Sequence, residues 1–302
     1  KDWKLIGKSI AHIDDTAGKV TGKQIYGIDF KLPGMLIATI NECPVFGGTL
    51  KSFDDSKAMQ VKGVKKVVPI GGTAVAVIAD TFWHAKTAME QVDIVWDFGP
   101  NVNVSSASIK KMLEEGLNAD FAFARNQKGD IKQAISMASS TLEATFSYPF
   151  LNHGTLEPMN ATAKWTPEKC ETWIPTQNGE NSMAAVIKAS GLKAEQCDVY
   201  KINIGGGFGR RGSHQDYTTQ AVLIAKQMPG TPIKLIWTRE EDMTQGRYHP
   251  IMMGKLTGSF DDKKNLTGLH MRLSGQSILA STSPLTLETN KGLDPEVFQG
   301  ID

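Results

Sequence analysis

The chain has 302 residues, 40% hydrophobic and 22% charged, with 33 Lys and Arg against 32 Asp and Glu for a formal net charge of +1. That length accommodates two ordinary domains, and near-neutrality gives no global attraction to nucleic acid or anionic membrane, so any phosphate recognition has to be local. No apolar run approaches the ~20 residues of a membrane span, Lys1–Lys8 does not read as a signal peptide, and three scattered cysteines, Cys43, Cys170 and Cys197, argue against zinc or iron–sulfur ligation and against a disulfide framework.

Taken in order, residues 19–41 read as a β pair, Lys19–Asp29 and Met35–Ile40, around a turn at Lys31-Leu-Pro-Gly34 signalled by Pro33-Gly34. A short helix is expected over 54–60 and strands over 64–68 and 73–78. Residues 81–91 have helical apolar spacing with Thr81 as N-cap, and 92–96 form another strand. After a loop at 97–103, residues 105–117 read as helix, 118–128 as irregular, and 129–138 as a helix with Asp130 near its start. The remainder is richer in strands, over 140–148, 160–165, 170–174, 199–204, 233–238, 254–260 and 267–274, interrupted by helices at about 178–190 and 215–227. The pattern predicts an α+β protein of mixed sheets with packed helices.

The most informative motif is Gly205-Gly-Gly-Phe-Gly-Arg-Arg-Gly212, placed between a strand and a helix. Glycines permit positive φ and close approach of a ligand, amides at a helix N-terminus suit anions, and Arg210 and Arg211 add candidate phosphate donors. Gly207-x-Gly209-x-x-Gly212 also satisfies the dinucleotide fingerprint, which keeps a nicotinamide-dependent oxidoreductase open as an alternative. Against it, the strand before the run has the polar Tyr200, Lys201 and Asn203 where a buried apolar run is expected, and no acid follows at the required distance. His153 and Glu157 have acid–base or metal-binding spacing, although a hydrogen-bonded pair fixing a loop is the favoured account. Gln177, just past a strand end in Pro175-Thr-Gln-Asn178, can aim an amide donor into a cleft. Trp237-Thr-Arg-Glu-Glu-Asp242 and the segment to Pro250 read as charged loops. A noncatalytic binding or scaffold module is the remaining alternative.

These segments, in this order, resemble the large, molybdenum-binding subunit of the molybdenum hydroxylases, the xanthine dehydrogenase and aldehyde oxidase family. Residues 19–35 resemble the opening of the family's α/β-hammerhead domain. Gly129-Asp-Ile131, Pro149–Ala161, Pro175-Thr-Gln177, Gly205–Arg211 and Trp237–Asp242 resemble its first molybdopterin-binding region. Gly-Gly-Gly-Phe-Gly-Arg-Arg points within the family to the isoquinoline 1-oxidoreductase type. The resemblance implies an N-terminal linker at 1–16, a hammerhead domain over 17–124 and a molybdopterin-binding region over 125–302, incomplete at its C-terminus. It implies Gln177 and Phe208 at the reacting centre, and Gly206, Gly207, Phe208 and Gly209 against the cofactor, with Arg210 and Arg211 added on physical grounds as phosphate donors. Molybdenum is held by the pterin dithiolene rather than by side chains, and bacterial members use molybdopterin cytosine dinucleotide. The implied reaction hydroxylates an N-heteroaromatic ring, or oxidises an aldehyde, with water as oxygen source. Electrons leave through a small [2Fe–2S] subunit toward an acceptor such as a cytochrome, in the periplasm or cytoplasm of a bacterium. Gly212 stands where purine-oxidising members carry a glutamate, and the general-base glutamate falls beyond residue 302. The chain by itself is therefore expected to be inactive, to bind no cofactor tightly, and to need the remaining C-terminal part of the subunit.

Overall fold

The computed structural model describes residues 2–9 and 16–298; residues 1 and 10–15 of the expected linker and residues 299–302 lie outside the described residues. The strands are β1 (Leu36–Glu42), β2 (Thr49–Asp54), β3 (Val64–Ile70), β4 (Ala74–Ala79), β5 (Asp93–Asp97), β6 (Ser140–Tyr148), β7 (Leu151–Asn152), β8 (Asn160–Trp165), β9 (Cys170–Ile174), β10 (Cys197–Lys201), β11 (Ile233–Ile236), β12 (Tyr248–His249), β13 (Met252–Phe260) and β14 (Leu266–Gly275). The helices are α1 (Thr16–Val20), α2 (Phe82–Met89), α3 (Ser106–Leu117), α4 (Ile131–Ser136), α5 (Gly179–Ser190), α6 (Asp216–Ala225), α7 (Arg239–Thr244), α8 (Leu279–Thr282) and α9 (Pro284–Thr289). Mixed sheets with packed helices make the α+β class expected from the sequence. No helix among the described residues is long and apolar enough to cross a membrane.

The main sheet has seven strands in the order β10-β9-β8-β11-β1-β4-β3. Next to its edge strand β3 lies β4, whose sequence Ala-Val-Ala-Val-Ile-Ala is buried throughout because both faces are covered. Ala74, Ala76 and Ile78 face the large core with Val222, Ile224 and Leu235, and Val75, Val77 and Ala79 pack with Ala85 and Ala88 of α2 and Leu50, Phe53 and Ile94 of the β2–β5 pair. The sheet draws strands from both sides of residue 124, since β1 pairs with β4 on one side and with β11 on the other. Cys170 and Cys197 are register neighbours on β9 and β10, and both are free and buried.

Two expectations are corrected. Residues 19–29 do not form a strand: α1 ends at Val20, and Tyr26 makes only an isolated bridge to Asn203. Val20, Ile25 and Ile28 are exposed there, and the close approach to the sheet is made by Gly27, where a Cβ would stand 2.5 Å from Pro175 Cγ. Residues 239–244 form a helix instead of a loop, because Thr238 accepts the N–H of Glu241 and three acids occupy the first turn, both favourable at a helix N-terminus.

A separate three-stranded antiparallel sheet has the order β14-β13-β6. Its register aligns Leu142 with Gly258 and Leu269, Ala144 with Leu256 and Met271, and Phe146 with Gly254 and Leu273, which puts these residues on one face. The other face meets α3, where Leu113 and Leu117 pack on Met253, and α4, where Ala134 and Ile131 stand over Gly268.

Candidate functional site

Strand β9, helix α5 and strand β10 make a parallel β-α-β unit. Residues 175–178 follow β9 and residues 202–212 follow β10, so both segments sit at the carboxyl ends of neighbouring parallel strands, where open α/β sheets bind ligands. Asn178 caps α5 by accepting from Asn181 N–H at 3.0 Å, and this cap turns the chain sharply enough to leave the Gln177 side chain exposed. Main chain and side chain of Gln177 then tie the two segments together. Its N–H donates to Arg211 O at 3.0 Å, and its Oε1 accepts from Gly209 N at 3.1 Å and Arg211 N at 3.3 Å. The carboxamide NH₂ has no partner among the described residues, which leaves two donors open.

The glycine run needs its composition. Gly206 has φ 104 and Gly209 φ 95, values that favour glycine. A Cβ on Gly207 would stand 2.4 Å from Gln177 Oε1, and one on Gly205 would stand 2.5 Å from Glu157 Cβ. Phe208 itself has φ 54, uncommon for a bulky residue, and its ring is 70% exposed. Most loop amides are already engaged. Gly205 donates to Glu157, Arg210 to Gly207 O, Gly212 to Gly209 O, and Gly209 and Arg211 to Gln177. Among the described residues, the N–H groups of Gly206, Gly207 and Phe208 have no partner. Together with the Gln177 NH₂ they form a small set of unengaged donors beside an exposed aromatic ring.

Arg210 and Arg211 are turned inward. Arg210 is 2% exposed and grips Asp216 with both terminal nitrogens, at 2.9–3.1 Å, and its guanidinium lies 5.6 Å from the Trp237 ring. Arg211 is fully buried. It donates to Gly206 O at 3.0 Å, to Glu157 O at 2.7 Å and to Glu157 Oε2 at 3.0 Å. Burial pushes the Arg211 guanidinium below its ordinary value, and the Glu157 carboxylate opposes that. In this geometry the two arginines hold the loop rather than present donors to solvent. The start of α6 is likewise filled from within, since Asp216 Oδ1 accepts the N–H of Tyr217.

His153 and Glu157 do not pair. Glu157 is a buried junction that accepts from Ile28 N at 2.9 Å and Gly205 N at 2.8 Å besides Arg211. It therefore joins the 26–30 segment, the glycine loop and its own strand entry. His153 Nδ1 meets Arg247 O at 2.8 Å, and its ring lies 4.4 Å from that of His249. Burial lowers the His153 and His214 imidazoles below their usual value. Sequence reasoning missed three further supports. Asp216 partners Arg210, Arg239 holds the carbonyls of Thr155 and Leu156 at 2.7 and 2.8 Å, and the buried Glu241 accepts from Glu42 N at 2.8 Å. Burial pushes the Glu241 carboxyl up to about 8. The Thr-x-x-Glu pattern at 238–241 carried the signal for α7, and Asp216 at the head of an expected helix carried the signal for an arginine partner. No group of three or more His, Cys, Asp or Glu that could hold a metal occurs among the described residues.

The nicotinamide alternative loses its structural basis. A Rossmann unit returns from the helix after the glycine run to a parallel strand beside the first, whereas α6 leads to β11, separated from β10 by β9 and β8.

Residues 113–289, more than half of the chain, match the molybdopterin cofactor-binding domain family, and the chain belongs to that family of molybdenum hydroxylases. It is 24% identical over 305 residues to the isoquinoline 1-oxidoreductase subunit β of Brevundimonas diminuta, covering 97% of this chain and 38% of that one. It is 27% identical over 275 residues to a membrane-bound aldehyde dehydrogenase (pyrroloquinoline-quinone) of Gluconacetobacter polyoxogenes, covering 88% and 35%. The fold is similar to that of quinoline 2-oxidoreductase from Pseudomonas putida 86, with a TM-score of 0.66, 18% identity, and 86% of this chain and 38% of the other covered. The chain thus spans little more than a third of the length of these relatives.

Proposed function

We propose that this chain supplies one wall of a molybdopterin site in an oxidoreductase that hydroxylates an N-heteroaromatic ring or oxidises an aldehyde, with water as the oxygen source. The observation that carries this reading is the junction at the ends of β9 and β10, where Gln177 binds the amides of the Phe208-Gly209 loop and keeps its own NH₂ free. The donor set fits the group. A pterin presents several acceptors and a flat ring system, and the site offers the Gly206, Gly207 and Phe208 amides, a carboxamide NH₂ and an exposed phenyl face. The absence of a cluster of metal-ligating side chains among the described residues is compatible with a metal carried by a dithiolene.

When bound, molybdenum–molybdopterin cytosine dinucleotide would supply the two-electron redox chemistry. The chain's own residues bind and orient. Gln177 Oε1 is spent on the loop, which fixes the carboxamide plane and leaves its NH₂ donors open, where they would meet an oxygen acceptor of the bound group. Gly207 leaves the space that this carboxamide fills, and the exposed Phe208 ring would cover one side of the bound group. Arg210 and Arg211 act through the loop, as anchors to Asp216 and Glu157, and the carboxylate of Glu157 is spent on three donors and is unsuited to proton abstraction. A hammerhead domain over 17–124 and a molybdopterin-binding region over 125–302 remain the proposed division, with β1, β3 and β4 of the former completing the sheet of the latter. A small [2Fe–2S] subunit with a cytochrome acceptor, and a further part of the large subunit carrying the general-base glutamate, complete the proposed assembly.

The test is to purify the product of the native gene and measure molybdenum, together with cytidine monophosphate released by acid. Stoichiometric amounts of both are expected. A product containing neither, when assembled with its natural partners, overturns the reading. The 302-residue chain alone is expected to hold no molybdenum.

A further inference from the structure

The three-stranded sheet has its polarity inside out. The face covered by α3 and α4 carries Glu143, Lys255, Thr257 and Ser259, with Lys255 and Glu143 paired at 2.8 Å. The opposite face is built from alternate residues of β6, β13 and β14, all apolar or glycine apart from Ser140 at one end and the Tyr148 hydroxyl at the other. On it Leu142 is 66% exposed, Phe146 62% and Leu269 56%, and Tyr148, Leu266 and Met271 are exposed as well. A contiguous uncharged face of this kind is a surface that another surface covers.

Its size discriminates among occupants. Three strands about 4.8 Å apart, with nine residues at about 3.4 Å each, make a face on the order of 400 Å². Two copies meeting through it would bury on the order of 800 Å² in total, below the ~1,000 Å² of a stable specific association between separate chains. Within one polypeptide the same contact suffices, because the covalent link supplies a high effective concentration. The lack of charge excludes nucleic acid and anionic headgroups as the natural cover. The matched relatives are long enough to provide one, since this chain covers only 35% and 38% of two of them.

We propose that the β6–β13–β14 face seats a further part of the same polypeptide, one that presents an uncharged apolar surface. This inference is independent of the cofactor reading, and its test involves no molybdenum. Leu142→Cys and Leu269→Cys are introduced one at a time, both in the 302-residue chain and in the native gene product purified from its own cells. Lys111→Cys on the exposed side of α3 serves as control, its side chain being 78% exposed. The three cysteines of this chain are buried, maleimide labelling is read on the peptide that carries the new thiol by mass spectrometry, and either face position suffices if the other variant does not fold. In the 302-residue chain both sites are expected to label as fast as the control. In the native product they are expected to label roughly tenfold or more slowly, with the control unchanged. Equal rates in the two proteins overturn the proposal. So does protection in a native product no longer than 302 residues, or protection that disappears when a second copy or separate subunit is dissociated.

Discussion

Replacing Glu157 by glutamine keeps the shape of the loop junction and removes its charge. The carboxylate is 5% exposed and accepts from Ile28 N, Gly205 N and Arg211 at 2.9, 2.8 and 3.0 Å. In the variant one side-chain oxygen becomes an NH₂ that must face a donor, and the fully buried Arg211 loses its counter-charge. Breaking a buried ion pair from one side costs about 3–5 kcal/mol, and an orphaned buried N–H costs about 1–3 kcal/mol. These overlap, so the expected loss is about 3–5 kcal/mol, a large share of a stability of roughly 5–15 kcal/mol, and a fall in Tm of roughly 6–15 °C. The assay is urea unfolding of Glu157→Gln, Arg211→Met and the double variant, with tryptic cleavage after Arg211 in Glu157→Gln, compared with the parent, as a local readout. The double variant is expected to cost about 1–3 kcal/mol less than the sum, because it leaves no unpaired charge. Single losses below about 1 kcal/mol, typical of a surface pair, or additivity within about 0.5 kcal/mol, would refute the reasoning.

The remaining predictions concern neighbouring positions. Gly207→Ala places a methyl 2.4 Å from Gln177 Oε1; it should displace the carboxamide and accelerate amide exchange at Gly209 and Arg211, with unchanged exchange counting against the cradle. Glu241 titrates near 8 because burial penalises its charge. A folded pKa above the unfolded value means that its contribution is present in full below about pH 4.5 and is lost as pH rises through about 8. Glu241→Gln should therefore flatten the decline in Tm between pH 5 and 9, worth a few kcal/mol at the alkaline end, and a parallel decline in both proteins would contradict this. Thr238→Ala removes the cap on Glu241 N–H and should cost about 1 kcal/mol in urea unfolding.

Much of this arrangement was legible in the sequence. The periodicity of 81–91, 105–117 and 178–190 located α2, α3 and α5 because each begins at a capping Thr, Ser or Asn and has an apolar stripe to bury. Gln177 and the glycine run were legible because a turn after a strand and a need for positive φ are local properties. What was not legible depends on long separations. Arg211 and Glu157 are 54 residues apart, so a charge that reads as a phosphate donor in the chain becomes a framework ion in the fold. His153 and Glu157 share a segment but point to different neighbours, Arg247 O and the glycine loop. The apolar alternation of β6, β13 and β14 marks strands, but which face the helices cover is decided by packing.

The central claim is that Gln177 stands at the cofactor with its NH₂ directed outward. Its most direct test is the Gln177→Ala variant of the full native gene product, assayed for both molybdenum content and turnover. The account predicts molybdenum within about twofold of the parent, since loop amides and ring remain, and turnover reduced by roughly tenfold to a thousandfold, as for loss of one positioned donor. Unchanged turnover at unchanged molybdenum content would contradict it.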